Sequence, residues 1–466
     1  MFGASQIPFA ISQMGWVWGP IIFVLLVACS WWSGHVLVDC CIHSKTYTWK
    51  DLGTRAFGAC GGHAVGWLQT IGIVLTGVLQ TQGGSSVWAQ SFPDVGICAW
   101  WWMVVNAAPL IIFLQIPSFG GSWVMVFATT VAIISTIWQQ VLYLTLMGVN
   151  GKYPYLCYGG QTLGTAVAAT CNMMFSFGVK NILPEMTREM VNPKEMHKSW
   201  FWSQAVAMPL YALYGFLGFY MYGIFNQNAS FGLQFDRNNW QIAYNIFSLF
   251  GNLVPTVYGQ ICIFLKVELA LGVSPRDWWT VTNPGLNRIP RIPPILFRFL
   301  FRSTIILLYL VAAEALLHVG LGFFSSLVGS TAMTAFSFYL PWVVLWRLRG
   351  TEISPLMKVV CLFWILCGLF AAGAGLYFSA KEMAHMSGGL FVFEPEDCAQ
   401  NAFYIGRYSG GGYHNPDNRG AFSTTKGNGS FYQDYYLPTC HNKDGKVHIE
   451  CGQINGPTPP ADFCPR

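Results

Sequence analysis

The chain alternates long apolar runs with short polar breakers. A hydrocarbon layer of about 30 Å takes roughly 20 apolar residues in helical form, and runs of that length recur down the chain. Read against their breakers, they predict helices over about 17–42, 63–91, 98–117, 122–149, 161–190, 199–225, 240–272, 298–320, 323–347 and 355–380, behind a short apolar start at 2–14. The 161–190 helix is predicted to break near 176–181, because Phe175-Ser176-Phe177-Gly178-Val179-Lys180-Asn181-Ile182-Leu183-Pro184-Glu185 packs glycine, lysine, asparagine and proline into two turns. Past 380 the periodic apolar pattern ends, which divides the chain into 1–380, transmembrane, and 381–466, a Gly/Asn/Pro/Tyr-rich tail.

Composition agrees with the pattern. Of 466 residues, 53% are hydrophobic and 10% charged, with mean hydropathy +0.43. Soluble domains carry charge at about 25%, so the class is an all-α polytopic membrane protein. Aromatics at 16%, with 20 Trp, suit interfacial belts. The net charge of +5 says less than where the cations fall. With 2–14 leading outward, the inner loops hold Lys45, Lys50 and Arg55, then Arg188, Lys194 and Lys198, then Arg276, Arg288, Arg291, Arg298 and Arg302, then Arg347, Arg349 and Lys358. The outer loops hold only Lys152 and Arg237. Cytoplasmic loops are the Lys/Arg-rich ones, so this bias sets the orientation.

Glycosylation sequons at Asn228-Ala229-Ser230 and Asn428-Gly429-Ser430 fall on the side predicted to be outside. Cys398, Cys440, Cys451 and Cys464 in the helix-poor tail read as a disulfide framework, which needs an oxidising compartment. A zinc site is the rival, but no C-x-x-C pair is present among them. Cys98 and Cys157 also fall at the outer face and are expected to pair. The other eight of 14 cysteines lie in or near helices, where small apolar packing is the default. The plasma membrane and a vacuolar or other endomembrane both fit.

Candidate chemistry concentrates at the broken helix. Charge at membrane depth costs at least about 2.5 kcal/mol. Non-helical backbone there is tolerated only where it is buried in protein or lines a wet cavity. Interrupted apolar segments point to the binding sites of secondary transporters. The plainer alternative is a kinked helix with a snorkelling lysine. No G-x-S-x-G, H-E-x-x-H or phosphate-binding loop is present, so an ATP-driven pump is not expected, a membrane enzyme is remote, and neither a cofactor nor a metal is called for. No nucleic-acid motif appears, so the expected partners are a small-molecule substrate and the lipid bilayer.

Several motifs, in order, resemble the amino acid/auxin permease family, in its amino acid permease branch, over nearly all of 1–380. Ile7-Pro8-Phe9-Ala10-Ile11-Ser12-Gln13-Met14-Gly15-Trp16 is similar to the second half of the family's first helix. Leu37-Val38-Asp39-Cys40 resembles the close of its second helix, with Thr46-Tyr47-Thr48-Trp49-Lys50-Asp51-Leu52-Gly53 after it. Gln115-Ile116-Pro117-Ser118-Phe119 is similar to the turn between helices four and five. Phe175 to Glu185 with Asn192-Pro193-Lys194 resembles the sixth-helix signature and its P-K turn, and Arg288-Ile289-Pro290-Arg291 and Phe338-Tyr339-Leu340-Pro341 fit the loop before the ninth helix and the tenth helix itself.

The resemblance implies a leucine-transporter-type inverted-repeat fold with 11 helices, the first truncated, and substrate held mid-membrane where helices one and six unwind. Met1 aligns with the first glycine of the family's G-x-G bend, so the cytoplasmic half of helix one is expected upstream of it. Substrate contacts are expected from Gly3, Ala4 and Ser5 at the first bend and from Phe175, Ser176, Phe177 and Gly178 at the second. Thr76, Asn252, Thr256 and Tyr258 are candidate pocket walls, each alternatively an interhelical hydrogen-bonding group.

Lys180 stands where the family often has a small residue or a histidine. It is a candidate for coupling or for replacing a bound cation, and alternatively a static partner of Asp39 or of a carbonyl. Glu314 and His318, four apart, are a possible proton-linked pair. His35 and Asp39 are also four apart, with a structural salt bridge or helix-end anchor the expected role. Glu185 is expected to gate or to anchor loop cations near Arg188 and Arg288. The function implied is proton-coupled amino acid symport, with sodium left open. The alternatives are uptake of auxin or another indole or aromatic carboxylate, and a non-transporting amino acid sensor.

Overall fold

The computed structural model describes residues 2–92, 99–116, 123–147, 163–222, 239–271, 273, 294–316 and 321–386. Among them all regular structure is helical: α1 (Phe2–Ser44), α2 (Trp49–Ser91), α3 (Ala99–Phe113), α4 (Trp123–Met147), α5 (Leu163–Ser176), α6 (Leu183–Glu189), α7 (Met196–Tyr222), α8 (Asn239–Ala270), α9 (Pro294–Ala315), α10 (Leu321–Val328), α11 (Leu340–Arg349) and α12 (Pro355–Met386). Among the described residues five stretches are long and apolar enough to cross a membrane: Gln6–Ser44, Trp49–Trp88, Ile242–Ala270, Ile295–Ala315 and Pro355–Lys381. The pair Phe324–Met333 and Ala335–Arg349, bent by 41°, makes a sixth. This is a polytopic membrane protein, as the apolar pattern predicts.

Two of the long helices are each two rods. Gly15 leaves helical geometry at φ 76°, ψ 179°, dividing the apolar start from the 17–42 helix where the sequence places the division. Gly58 does the same at φ 81°. Both angles lie where a side chain meets steric penalty, so glycine is the residue that permits the bend. The second bend corrects an expectation. The 63–91 helix is preceded by a helical segment from Trp49, where the motif was read only as following the second helix. Thr48 starts it by accepting the Asp51 amide at 3.1 Å while donating to the Asp51 carboxylate at 2.7 Å, a reciprocal cap.

The expected continuous helix over 323–347 is instead broken by two π turns, Gly329–Met333 and Ala335–Tyr339, between α10 and α11. Such turns insert residues into the helical ladder and often mark functional positions. α1 packs on α7 and α5, α2 on α8, α3 and α9, and α5 on α10 and α12. One apolar cluster joins α2, α3, α8 and α9. A second joins the end of α1, the start of α2 and α11, and a third joins the start of α1 with α5 and α7.

Arg298 and Arg302, counted among the loop cations from sequence, lie inside α9 and are buried. Arg302 grips Glu268 of α8 with two bonds, of 2.6 and 2.9 Å, and Arg298 approaches the same carboxylate at 3.5 Å. Arg302 also donates to the carbonyls of Leu114 and of Ile116, the latter at 2.8 Å, and its guanidinium lies over the Phe264 ring at 5.4 Å. Planar fork geometry makes arginine suited to such a knot, which fastens the end of α3 to α8 and α9. In the turn after α11, Arg349 donates to Glu352 at 2.7 Å and holds that exposed carboxyl below its ordinary value.

The α1–α7 seam is close at Gly34, where an added Cβ would fall 2.2 Å from the Trp200 indole. Gly34→Ala is therefore expected to lower stability by about 1–3 kcal/mol, the usual range for overpacking. Thermal denaturation of the detergent-solubilised protein checks this. Gly259→Ala, where a Cβ meets nothing within 4 Å, should melt no lower than the wild type.

Candidate functional site

α5 stops at Ser176, Phe177 adopts φ −96°, ψ 12°, and a single 3-10 turn over Gly178–Asn181 leads to α6. This is the break expected near 176–181. Pro184 explains part of it. A continuous helix would bond the Lys180 carbonyl to the amide of residue 184, and proline has no N–H. The donor comes instead from Trp49, whose Nε1 reaches that carbonyl at 3.0 Å. Ser337 Oγ donates to the Phe177 carbonyl at 3.1 Å, and Gln69 Nε2 to the Asn181 carbonyl at 2.5 Å. Three carbonyls of the unwound segment are thus met by side chains from α2 and from the second π turn, while Val179 within it is exposed.

Lys180 is fully buried. Its Nζ donates to Ser30 Oγ at 2.9 Å and to the Ser337 carbonyl at 3.4 Å, and lies 5.3 Å from the Phe338 ring centre and 5.9 Å from that of Trp200. Those rings supply cation–π attraction. Among the described residues no carboxylate pairs with it. Asp39, one of its two expected static partners, instead bonds His197 Nε2 at 3.1 Å. Asp39 does not bridge directly to His35 either, since His197 stands between them.

Glu185, buried at the start of α6, takes Lys266 of α8 as its partner at 3.1 Å and the Gln69 amide at 2.9 Å. Gln69 Oε1 accepts from Lys266 in turn, closing a triangle. The expected cation near Arg188 is occupied elsewhere, with Arg188 beside Glu189 at 3.8 Å, and Arg288 lies outside the described residues. Lys266 was missed by sequence reading because it sits near the end of a long apolar helix, where a lysine reads as snorkelling.

Of the other expected contacts, Gly3, Ala4 and Ser5 form the first turn of α1 with helical backbone, not a bend. Phe177 turns toward Phe23 and Tyr211, with ring centres 6.1 and 6.3 Å away. Gly178 abuts Met333, where a Cβ would meet Sδ at 2.5 Å, and Phe175 sits in the cluster that contains Met333 and Val328. Ser176 Oγ bonds back to the Asn172 carbonyl at 3.5 Å. The hydroxyls of Thr76 and Thr256 bond back to Gly72 and Asn252 within their own helices, at 2.8 and 2.7 Å. Tyr258 packs beside the α2–α8 cluster.

Asn252 is different. It is buried, and its Oδ1 has no partner among the described residues. Other amides that sequence reading did not single out behave alike, Gln6, Asn172 and Asn245 among them. Among the described residues both polar atoms of Gln6 on α1 and of Asn245 on α8 lack partners, as does Nδ2 of Asn172, whose Oδ1 accepts from Ser325 at 3.2 Å. An unsatisfied buried polar group costs about 1–3 kcal/mol, so such groups are normally met by water or ligand. The available signal was simple: each is an amide inside an apolar run. Glu314 is buried on α9 with Oε1 likewise unpartnered, while His318 lies outside the described residues.

Asn228, Asn428, Cys98, Cys157, Cys398, Cys440, Cys451 and Cys464 also lie outside them. The other eight cysteines are free thiols. Among the described residues no group of three or more His, Cys, Asp or Glu side chains is placed to hold a metal.

Glu185→Gln or Lys266→Gln alone should destabilise the protein by about 1–3 kcal/mol, since each strands its buried partners. The double variant should lose less than the sum of the two. A double-mutant cycle on melting temperature checks this, and strict additivity would show that the pair is uncoupled.

Residues 6–381 match the family model described as transmembrane amino acid transporter protein. A curated relative, amino acid transporter ANT1 of Arabidopsis thaliana, is 24% identical over 423 residues, spanning 80% of this chain and 88% of the relative. With the family match running from the first rod of α1 through most of α12, the chain belongs to the transmembrane amino acid transporter family.

Proposed function

We propose that this transporter carries amino acids by proton-coupled symport, with the substrate received beside the break between α5 and α6. The observation that carries the reading is the break itself: unwound backbone within an apolar stretch, a buried lysine with no carboxylate partner among the described residues, and, elsewhere on α1, α5 and α8, buried amides unsatisfied among the described residues. An amino acid is a zwitterion and needs donors for its carboxylate and acceptors for its ammonium. Asn172 offers an N–H and Asn252 an oxygen, and Gln6 and Asn245 offer both. Helices that break in a bilayer also expose terminal backbone groups suited to such a ligand.

Lys180 supports the choice of the proton. An ammonium fixed at the break already supplies a cation there, and a lysine, unlike an arginine, can release its proton. The inverted-repeat arrangement of the related transporter fold fits the break in α5–α6, and alternating access about it is the expected motion.

Uptake of radiolabelled amino acids by transporter-deficient cells tests the reading. Accumulation should be greater at about pH 5 than at about pH 7.5 outside, the range over which proton coupling is visible. Lys180→Ala and Lys180→Met, matched for surface expression, should both lose the acid stimulation. Normal acid-driven uptake in Lys180→Met would reduce the lysine to a packing role.

A further inference from the structure

Four side chains outside the break form a continuous hydrogen-bonded row. Trp31, His35 and Asp39 follow at four-residue intervals on one face of α1, and His197 opposes them from the first turn of α7. Trp31 Nε1 donates to His35 Nε2 at 3.2 Å, His35 Nδ1 meets His197 Nδ1 at 3.1 Å, and His197 Nε2 meets Asp39 Oδ1 at 3.1 Å. The imidazoles stack at 12° with ring centres 5.4 Å apart.

Donor chemistry fixes the proton positions. An indole nitrogen only donates, so His35 Nε2 must accept and the neutral ring carries its proton on Nδ1. That N–H then donates to His197 Nδ1, which must be bare, leaving the His197 proton on Nε2, directed at the Asp39 carboxylate. Every contact is satisfied when both rings are neutral. A further proton has no position that keeps the row intact. On His197 Nδ1 it opposes the His35 N–H; moving the His35 proton to Nε2 to relieve this opposes the Trp31 N–H instead. The imidazolium gains only from Asp39.

We propose that the His35–His197 pair is a proton-binding site at the α1–α7 seam, and that taking up the proton opens the row and releases Trp31. This inference rests on the proton-coupled reading. Its link to the break is direct, because the Trp31 carbonyl accepts from Trp200 Nε1 at 3.0 Å and the Trp200 ring faces the Lys180 ammonium. Gly34 leaves the indole no space for a side chain between the two helices. The row and Lys180 are therefore joined through the Trp31 backbone carbonyl and one intervening side chain, Trp200.

The buried charge nearest the row without a carboxylate partner among the described residues is Lys180, which bonds Ser30 on α1. Both rings are half-buried, and Asp39 is 52% exposed at the solvent end of the row. Arg349, at the end of α11, acts on Asp39 electrostatically. His43 on α1, Lys194 and Glu195 ahead of α7, Lys198 on α7 and Lys50, Asp51 and Arg55 on α2 are exposed. α5 contributes no titratable group but Cys171. On α6 and α8, Glu185 pairs with Lys266, Arg188 with Glu189, and Glu268 with the α9 arginines.

The test uses the purified full chain in proteoliposomes and a mixture of radiolabelled standard amino acids. Two quantities are read: accumulation driven by an imposed proton gradient, and exchange at equal pH. In His35→Asn and His197→Asn, accumulation should lose its dependence on the gradient while exchange falls far less. Trp31→Phe removes a bond that protonation must break, so the pH of half-maximal accumulation should rise by about half to one unit. Gradient-driven accumulation surviving in both histidine variants would overturn the assignment. So would a proportional fall in exchange and accumulation, which marks a merely structural clasp, or an unmoved midpoint in Trp31→Phe. Wild-type uptake indifferent to the gradient would overturn the coupled reading and the pair with it, whereas the other outcomes overturn the pair alone.

Discussion

Backbone that leaves the helix inside a bilayer must find hydrogen-bond partners within the protein, because lipid offers none. At the α5–α6 break three carbonyls are in that position, and each takes a donor from elsewhere in the fold. Trp49 comes from the segment ahead of the Gly58 bend, Gln69 from the rod beyond it, and Ser337 from a π turn. Each of these irregularities has its use here. The Gly58 bend lets one helix serve the break twice, and the π turn gathers Ser337 where its hydroxyl donates to Phe177 while its carbonyl accepts from Ser33 at 2.8 Å and from Lys180. An undistorted α10–α11 rod would present these groups in the ladder rather than at the break.

Buried charge is handled in three grades. Glu268 and Arg302 are saturated by each other and by carbonyls at the end of α3, which suits a joint that does not move. Glu185 is partly met, with one oxygen shared between Gln69 and Lys266 and the other unpartnered among the described residues. Lys180 has a hydroxyl, a carbonyl and two aromatic faces but no counter-ion there. A buried ion pair whose remaining donors are also bonded keeps its geometry, whereas a buried charge without a counter-ion depends on the neutral groups around it. The grades thus run from scaffold toward the candidate site.

Much of the architecture was legible because apolar runs and their breakers carry it. The division at Gly15, the broken 161–190 helix and the helix ends follow from residue type alone. The helix over Trp49–Phe57 was less visible. Its T-x-x-D cap can be read in Thr48 and Asp51, but the segment is short and its apolar residues match a loop motif equally well. The π turns had no local signal in the sequence; at them Gly329 lies against the Cys171 carbonyl and Met333 against Gly178. Side-chain partnerships were the least legible. His35 and Asp39 share a helical face, yet the residue that joins them is 162 positions from His35, on another helix. Arg298 and Arg302 read as loop cations because the sequence shows no carboxylate nearby, and Glu268 arrives only through the fold.

Pro184 gives the break a property that outlasts any one conformation. Most unwound turns can rewind, recovering their ladder bonds when a neighbour withdraws. This one would not recover them all, because the Lys180 carbonyl would face a ring nitrogen without hydrogen and a continuous helix would still lack a bond. Intact rods turning about this joint, with the Trp49 indole riding on it, lose no such bond, whereas annealing the joint would leave the Lys180 carbonyl without its ladder partner.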